Sequence, residues 1–318
     1  MKAKPIGCQV SMAMRASSIC TLLVFSSLTS AHASDALSTL TSGNFPRQIE
    51  LPKTEPVSPD TQLGKEARSI YAKTSISPGE RIRFSVTYLG VSAGDAEITL
   101  RPPVKHGKSW AHRITAEVKS SSWYSWLVKL HDSVEEVSNE ALQFTPVTFY
   151  INQVEKNYQS TKLLEYNQAA LSVRQRSKRL GQDEVQKDFQ YPKGTKEALG
   201  ALYYVRTQLA SSHPPPLHLE FPIFTSEKTW TGKASYRGSE TRNINGNKYE
   251  TDVYHLITTF GGLMEQKGDI RIWFSRDERK IPVYIEAYIK FGFIKVTLDE
   301  WDPGELQKAN FKPIRHDL

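Results

Sequence analysis

Apolar and polar residues alternate along most of the chain between residues 80 and 300, the pattern of strands that bury one face. "SWAHRITAEVKS" at 109–120 and "FTPVTFYINQVEKN" at 144–157 are typical stretches. The alternation restarts after each polar turn, which predicts about ten or more strands.

Two tight hairpins are indicated by turn residues between alternating runs. Asn245-Gly246 joins "TWTGKASYRGSETRNI" to "KYETDVYHLITTF", and Asn-Gly is the strongest short hairpin signal because both residues tolerate positive φ. A second turn contains Asp277 in "RDER" and leads into the strand that starts near Pro282.

Glycines mark the places where the alternation changes phase. Apolar residues occupy even positions up to Tyr88, odd positions around Gly90, and even positions again after Gly94. Since a change of phase turns later side chains to the other face, we expect these glycines to frame a connection between two antiparallel strands. The phase also changes at Gly292, and repeated glycine kinks favour a bent sheet.

Two segments have helical spacing. Residues Thr195–Ser212 place Ala198, Leu202, Val205 and Leu209 on one face, with Pro214 as a stop. "SSWYSWLVKL" at 121–130 is compatible with a short helix or with a strand. The predicted fold is therefore mainly β: a strongly curved antiparallel sheet or partial β-barrel, with one long helix packed on or inside it.

The N-terminal region has the features of a secretory signal at residues 1–33. Lys2, Lys4 and Arg15 precede a short apolar stretch at 17–30, and Ala31-His32-Ala33 fits a cleavage site, although Met12 or Met14 is an alternative start. A membrane anchor is the rival interpretation, but it needs about 20 apolar residues. We expect export across an inner membrane to a periplasmic or outer-membrane-associated location, with no transmembrane segment in the mature chain.

Beyond the signal, composition divides the chain into three further parts. Residues 34–77 are rich in Ser, Thr and Pro without periodicity, which predicts a disordered arm. Residues 78–302 form the predicted single mainly-β domain, and residues 303–318 a C-terminal tail.

Charge and cysteine content narrow the possible functions. Both cysteines, Cys8 and Cys20, lie within the signal, so the mature chain has no thiol nucleophile, disulfide or thiolate metal site. The net charge is +7, and the signal contributes three positive charges and no acid, which leaves +4. That excess is mild, and we expect no nucleic-acid partner.

Several stretches resemble the domain-of-unknown-function 3108 family of exported Gram-negative bacterial proteins. They are "YLGVSAGDAEI", "HDSVEEV", "LQFTPVTFY", "ALGALYYVR" and "WFSRDERKIPVYIEAYIKFGFIKVTL", which together span about Glu80 to Glu300. Glu197, before the helix, departs from the Asp expected there. The resemblance implies no established activity, and its fold is similar to the half-barrels of periplasmic lipoprotein carriers, an analogy that does not establish function.

No catalytic or cofactor motif is found in the sequence. The histidines lack the spacing of a helical zinc motif, G-x-S-x-G is absent, and adjacent strand residues such as His131 and Asp132 point to opposite faces. Glu135 and Glu136 are separated in the same way, which is unsuitable for a pair of glycosidase acids, although carboxylates distant in sequence could still meet. We therefore expect no cofactor and no metal, and the sequence disfavours enzymatic activity but leaves it open.

A curved sheet around a helix leaves a concave apolar face that suits a ligand. The candidate ligand-lining residues are Trp123, Trp126, Tyr204, Arg206 and Trp273. Arg206 would either pair with an acidic headgroup at a pocket mouth or lie in solvent on the other helix face.

The sequence favours a monomeric binding or carrier protein for a hydrophobic or amphipathic envelope molecule such as a lipid or glycolipid. One alternative is an envelope structural or assembly factor that binds protein or peptidoglycan. A second is a hydrolase of sugar polymers, which needs two acids that converge in a cleft.

Overall fold

A computed structural model of the chain describes residues 49–121, 130–155, 158–225, 227–260, 263–289 and 292–316. The helices of this part are α1 (Gln62–Tyr71) and α2 (Ala198–Ser211). The strands are β1 (Glu80–Tyr88), β2 (Val91–His106), β3 (Ser109–Ser120), β4 (His131–Asn139), β5 (Pro146–Glu155), β6 (Tyr158–Asn167), β7 (Ser172–Arg179), β8 (Val185–Gln190), β9 (His218–Thr225), β10 (Lys228–Ile244), β11 (Asn247–Phe260), β12 (Leu263–Ser275), β13 (Pro282–Ile289), β14 (Gly292–Pro303) and β15 (Ile314–Arg315).

The strands form one antiparallel sheet in which almost every neighbour in space is a neighbour in sequence. Its order is β8-β7-β6-β5-β4-β3-β2-β1-β14-β13-β12-β11-β10-β9, and β15 pairs with the outer end of β14. The single long-range pairing joins β1 to β14. Strands β8 and β9 lie at the two edges and do not pair with each other in the described part of the chain, so the sheet is not closed.

Strict alternation places one set of side chains inside the curve of the sheet. Ile82, Ile98 and Ala116 lie opposite one another across β1, β2 and β3, and all three are buried. Partners directly opposite in an antiparallel pair share a face, so this register carries the core from strand to strand. The mainly-β fold with one large antiparallel sheet, predicted from the alternation, is confirmed.

Helix α2 lies within the curve of the sheet. Nine of its residues are buried, all around its circumference, whereas a helix packed on a surface buries one stripe. It contacts β3 and β4 on one side and the edge strand β9 on the other. The expectation of one long helix is wrong: the described residues contain two short helices, of 10 and 14 residues.

Residues 49–77, which fall within the predicted arm over 34–77, include helix α1 and pack against the sheet. Thr61 caps α1 by accepting from the N–H of Gly64. Tyr71 at the end of α1 is fully buried, and its hydroxyl lies 2.6 Å from His112 Nδ1. Long-range contacts stabilise this segment, which explains why local composition did not reveal it.

Residues 49–57, which we call the N-terminal strap, cross the outer face of the sheet. Ile49 packs against Tyr150 and Leu163 in a small apolar cluster on that face. Near the other end, the N–H of Val57 donates to the carbonyl oxygen of Pro103, 2.9 Å away. The strap is thus attached at two places, on β5 and β6 at one end and on β2 at the other.

The phase-change glycines have different structural roles. Gly90 is in the turn between β1 and β2 with φ +81°. Gly94 lies within β2, where a Cβ would come 2.0 Å from the carbonyl oxygen of Lys119. Gly292 has φ +123° and opens β14 opposite Ile289, so it belongs to the end of a hairpin rather than to a kink inside one strand. Two of these positions require positive φ, and the third requires close backbone approach.

Both predicted hairpins are present. Ile244 pairs with Asn247, and both turn residues, Asn245 and Gly246, have positive φ. The turn before Pro282 is held by the Asp277 carboxylate, which accepts from the N–H of Arg279 at 3.0 Å. Neither described helix has the length and apolar character needed to span a membrane.

Candidate functional site

Ionisable side chains from four separate parts of the chain converge inside the sheet at the start of α2. They are Glu136 on β4, Lys162 and Tyr166 on β6, Lys196 and Glu197 immediately before α2, and Glu227 beside β10. We call these six residues the interior cluster. Buried groups with strongly shifted pKa values are candidates for a functional site.

Glu136 caps α2 from the facing strand. Its Oε2 accepts from the backbone N–H of Gly200 at 2.8 Å, and its Oε1 accepts from the hydroxyl of Ser138 at 2.8 Å. Burial raises the pKa of Glu136 to about 7 despite these donors. Gly200 is required here, because a Cβ at this position would lie 2.3 Å from Glu136 Oε1.

Glu197 holds the N-cap position of α2 but makes no side-chain cap hydrogen bond. Its carboxylate accepts from the hydroxyl of Tyr166 instead. Burial and the nearby Glu136 raise the pKa of Glu197 well above its ordinary value. The buried Tyr191 ring packs edge-on against Tyr166 at 5.2 Å, and its hydroxyl has no hydrogen-bond partner among the described residues.

Lys196 joins the cluster to the edge strand β9. Its backbone forms a parallel bridge with Ile223. Its ammonium donates to the carbonyl oxygen of Gln143 at 2.5 Å and lies 4.1 Å from the centre of the Tyr204 ring. Burial lowers the pKa of Lys196 to about 8.

Lys162 is a partly exposed member of the cluster, as is Glu227. It shares the inner face of β6 with Leu164 and Tyr166 and lies directly opposite Ile151 of β5, another partly exposed residue. Burial lowers its pKa, while the carboxylates of Glu227 and Glu197 oppose that shift. No ion pair of Lys162 is found within the described residues.

Cations surround Lys162 on the neighbouring strands. Arg179 and Lys187 both lie close enough to lower its pKa further. Lys187 pairs with Glu227 at 2.8 Å, and Gln175 donates to the same carboxylate at 2.9 Å. Lys162, Arg179 and Lys187 thus lie near two carboxylates, Glu227 and Glu197, and Glu227 is already shared by Lys187 and Gln175.

The interior cluster is unsuitable for acid–base hydrolysis as it stands. Glu136 and Glu197 are 0% and 4% exposed. Each carboxylate already accepts a hydrogen bond from the protein, and a glycosidase pair must face a gap that admits substrate. Among the described residues, no group of three or more His, Cys, Asp or Glu is placed to hold a metal ion.

Arg206 does not line a ligand pocket, and neither predicted environment for it is correct. It is fully buried, and its two terminal nitrogens donate to the carboxylate of Glu80 at 2.7 and 2.8 Å. The Glu80 carboxylate also accepts from the indole N–H of Trp301 at 2.9 Å. The predicted solvent-facing position is wrong because buried residues lie all around α2, and Arg206 itself is 0% exposed.

Two further predicted lining residues, Tyr204 and Trp273, are not brought together. Tyr204 is half-buried on α2 and packs edge-on against Phe221 at 5.3 Å. Trp273 belongs to the opposite face of the sheet, where its indole N–H donates to Glu240 at 2.6 Å and its ring meets Tyr284. Trp123 and Trp126 lie outside the described residues.

The sequence correctly predicted that the adjacent residues His131 and Asp132, and likewise Glu135 and Glu136, point to opposite faces. It did not predict the interior cluster. Asp132 is buried while His131 is exposed, and Glu136 faces inward while Glu135 pairs with Arg113 on the outer face at 2.9 Å. The missed signal was a polar residue on the inward phase of a strand. Glu136 and Lys162 both lie on the inward phase of their strands, beside the apolar residues Val134 and Leu164.

Comparisons with solved structures find similar proteins of low sequence identity. The chain is similar to a β-barrel-like protein of domain DUF1849 from Brucella abortus, with 7% identity, a TM-score of 0.44, and coverage of 72% of this chain and 99% of that chain. It is also similar to a protein described as exported, with a YmcC-like fold, from Bacteroides fragilis NCTC 9343 (9% identity, TM-score 0.25, 71% and 96% covered). A protein from Parabacteroides distasonis ATCC 8503 described as a lipoprotein gives 9% identity, a TM-score of 0.29, and coverage of 72% and 98%.

No curated protein matches the chain significantly. The sequence profile described as "Protein of unknown function (DUF3108)" matches residues 83–299, which run from β1 to β14 and include the whole interior cluster. The chain therefore belongs to the DUF3108 family.

Proposed function

We propose that this protein is an exported, non-enzymatic binding protein that carries an amphipathic molecule of the cell envelope, and that Lys162 binds the acidic headgroup of that molecule. The observation that carries the proposal is the position of Lys162. Lys162 lies on the inner face of the sheet, is partly exposed as a residue, and forms no ion pair within the described residues. Two further cations, Arg179 and Lys187, lie near it.

The location of Lys162 suits a ligand that has a polar and an apolar part. Ile151 lies opposite Lys162 in the register and is partly exposed. Behind it, Val134 and Phe149 are buried and continue the apolar inner face. A headgroup at Lys162 would therefore leave the rest of the molecule against apolar strand residues, which is how concave sites combine orientation with burial.

Electrostatics supports an acidic rather than a basic headgroup. Desolvation disfavours the charged form of Lys162, and an incoming anion would restore it. The orphan hydroxyl of Tyr191 supplies a further polar group within the same region. The envelope location rests on the signal-like segment at residues 1–33.

Filling of the interior by α2 limits where the ligand could bind. The apolar residues of α2 pack directly on the sheet, so a cavity between this helix and the strands, as first expected, is not the basis of the proposal. Binding would instead use the inner surface of β5 to β7 beside the start of α2.

Extraction of the purified full-length protein with organic solvent, followed by mass spectrometry, tests the proposal. We expect an anionic amphipathic molecule to copurify with the wild type, and Lys162→Gln to reduce its amount at least about tenfold. Lys178→Gln is the matched control, because Lys178 of β7 lies opposite Thr161 of β6 in the register and both residues belong to the outer phase. Absence of any such molecule from the wild type, or equal retention by both variants, would refute the proposal.

A further inference from the structure

Glu227 reaches the interior cluster from the turn between β9 and β10, where Thr225 pairs with Lys228. Its backbone has φ +63°, a conformation that glycine or asparagine adopts more readily than glutamate. Residues held in sparsely populated backbone conformations are often found where they have a function. Since the turn itself does not favour glutamate, the contacts of the Glu227 side chain are the feature to explain.

The Glu227 carboxylate is bound by two donors on the inner face of the sheet. Its Oε1 accepts from Gln175 Nε2 at 2.9 Å and from Lys187 Nζ at 3.0 Å, and its Oε2 accepts from the same ammonium at 2.8 Å. Gln175 of β7 lies directly opposite Lys187 of β8 and opposite Leu164 of β6, so both donors belong to the inward phase. Gln175 is only 2% exposed. The two side chains therefore form a binding site for one oxyanion, and a carboxylate of the chain itself fills it.

This oxyanion site adjoins Lys162. Lys162 lies on the same inward phase, opposite Ser177 of β7, which in turn lies opposite the exposed Val185 of β8. Burial lowers the pKa of Lys162, and the carboxylate of Glu227 is the strongest influence against that shift. An acidic headgroup at Lys162 would therefore come within reach of the donors that hold Glu227, with apolar surface at Val185 beside it.

Displacement of Glu227 requires little change in the fold. Its side chain is 33% exposed and that of Lys187 is 49% exposed, and an ion pair with that much exposure contributes little to stability. The Arg206–Glu80 pair, which has no exposed surface, could not be exchanged in this way. The acidic group of a ligand offers the same kind of oxygen atoms to the same donors.

We propose that Glu227 is an internal competitor of the ligand: its carboxylate occupies the oxyanion site of the ligand-free protein, and the acidic group of the ligand displaces it from Lys187 and Gln175. This inference rests on the proposed headgroup site at Lys162 and extends that site by two residues.

Fluorescence titration of the delipidated full-length protein with a dansyl-labelled fatty acid and with its uncharged methyl ester tests the displacement. A site that is free about one-tenth of the time binds about tenfold more weakly than an open site. Glu227→Gln should therefore tighten binding of the acid about tenfold and leave binding of the ester unchanged. Glu220→Gln is the matched control, because it removes one negative charge from β9 whose carboxylate is exposed and pairs with Lys233 instead.

Two further variants separate competition from effects on the turn and on overall charge. Glu227→Asn removes the carboxylate and suits the positive φ, so it should tighten binding of the acid even if glutamine disturbs the turn. Lys187→Met removes the shared donor and should weaken binding of the acid severalfold. Glu227→Gln added to Lys187→Met should then give a gain of at most about twofold, since the two residues share one contact.

The outcomes distinguish the displacement from the headgroup site itself. Unchanged affinity of both Glu227 variants, or an equal gain from Glu220→Gln or for the methyl ester, would overturn the displacement. If Lys162→Gln still weakens binding in that case, the headgroup site stands alone. A gain from Glu227→Gln in a protein that is indifferent to Lys162→Gln would instead overturn the role of Lys162, and absence of binding by every variant would overturn both.

Discussion

Both halves of helix α2 are buried, but the ionisable side chains around them differ in whether they form ion pairs. Toward the C-terminal half, Arg206 and Glu80 form a bidentate pair at 2.7 and 2.8 Å with no exposed surface on either side chain. At the N-terminal end, Glu136, Glu197 and Lys196 are buried, and none of them forms an ion pair with another described residue.

This difference distinguishes a charged pair that stabilises the fold from ionisable groups that can change protonation. Burial by itself would lower the pKa of Arg206, but the Glu80 carboxylate outweighs it and the pKa is raised. At the other end, burial raises the pKa of Glu136 and lowers the pKa of Lys196, so both groups are shifted toward neutrality. A matched pair fixes the helix in the sheet, whereas groups near neutrality can change protonation when a charged ligand arrives.

The largest effect should follow from breaking the matched pair. Arg206→Met leaves Glu80 as an unpaired buried carboxylate, which costs about 3–5 kcal/mol of unfolding free energy. Urea denaturation measures the loss. Arg83→Met is the control, because that arginine belongs to a half-exposed pair on the surface, where about 1 kcal/mol or less is expected. Similar losses for both variants would contradict the distinction drawn between the pairs.

Protonation of Glu136 should give the next largest effect. Its pKa is raised from 4.5 to about 7 in the folded protein, so the folded state binds this proton more tightly than the unfolded state. The associated stability is fully present below about pH 4.5 and is lost as the pH rises through about 7. Glu136→Gln removes this dependence, and its stability relative to the wild type should rise by about 3 kcal/mol between pH 4.5 and pH 8.

The measurement is the difference in unfolding free energy between wild type and Glu136→Gln at several pH values. Glu135→Gln is the matched control, because the neighbouring carboxylate faces outward and pairs with Arg113. A pH-independent difference for Glu136→Gln would show that this carboxylate titrates normally.

Gly200 tests the packing, rather than the charge, at the N-terminal end of α2. Alanine is the better helix former by about 1 kcal/mol. Here, however, its Cβ would lie 2.3 Å from Glu136 Oε1 and 3.1 Å from the carbonyl oxygen of Phe144. We expect Gly200→Ala to lower stability by about 1–3 kcal/mol, the usual cost of overpacking. Thermal unfolding beside Gln208→Ala, a partly exposed position of the same helix, tests this, and a stabilised Gly200→Ala would refute it.

Much of the fold follows from local pattern. Alternation locates most strands, Asn245-Gly246 locates a hairpin, and the phase change at Gly90 locates another. Whether the sheet closes, and where the N-terminal strap lies, do not follow from the local sequence pattern, because both depend on contacts between distant segments. Val57, for example, is held by Pro103, which lies far along the chain.

The sequence predicted less of the candidate site than of the fold. Arg206 was selected for its place beside two tyrosines, but its partner Glu80 is 126 residues away. Glu136 and Glu197 meet only because β4 faces the start of α2, a juxtaposition that single-strand periodicity does not contain. A charged residue on the inward phase of a strand, such as Lys162, is the sequence signal that could have been used. Burial of a charge costs free energy unless the charge is compensated.

The smallest effect is expected at Tyr204, which tests where a ligand binds. The ring of Tyr204 packs against Phe221 and under the ammonium of Lys196, and both contacts involve the ring alone. No hydrogen bond of its hydroxyl is found among the described residues. Tyr204→Phe keeps the ring, so its unfolding free energy should stay within about 0.5 kcal/mol of the wild type. Its content of extractable amphipathic ligand should also be unchanged if the headgroup binds at Lys162. Loss of ligand at unchanged stability would instead place the ligand beside α2 and give Tyr204 the role first assigned to it.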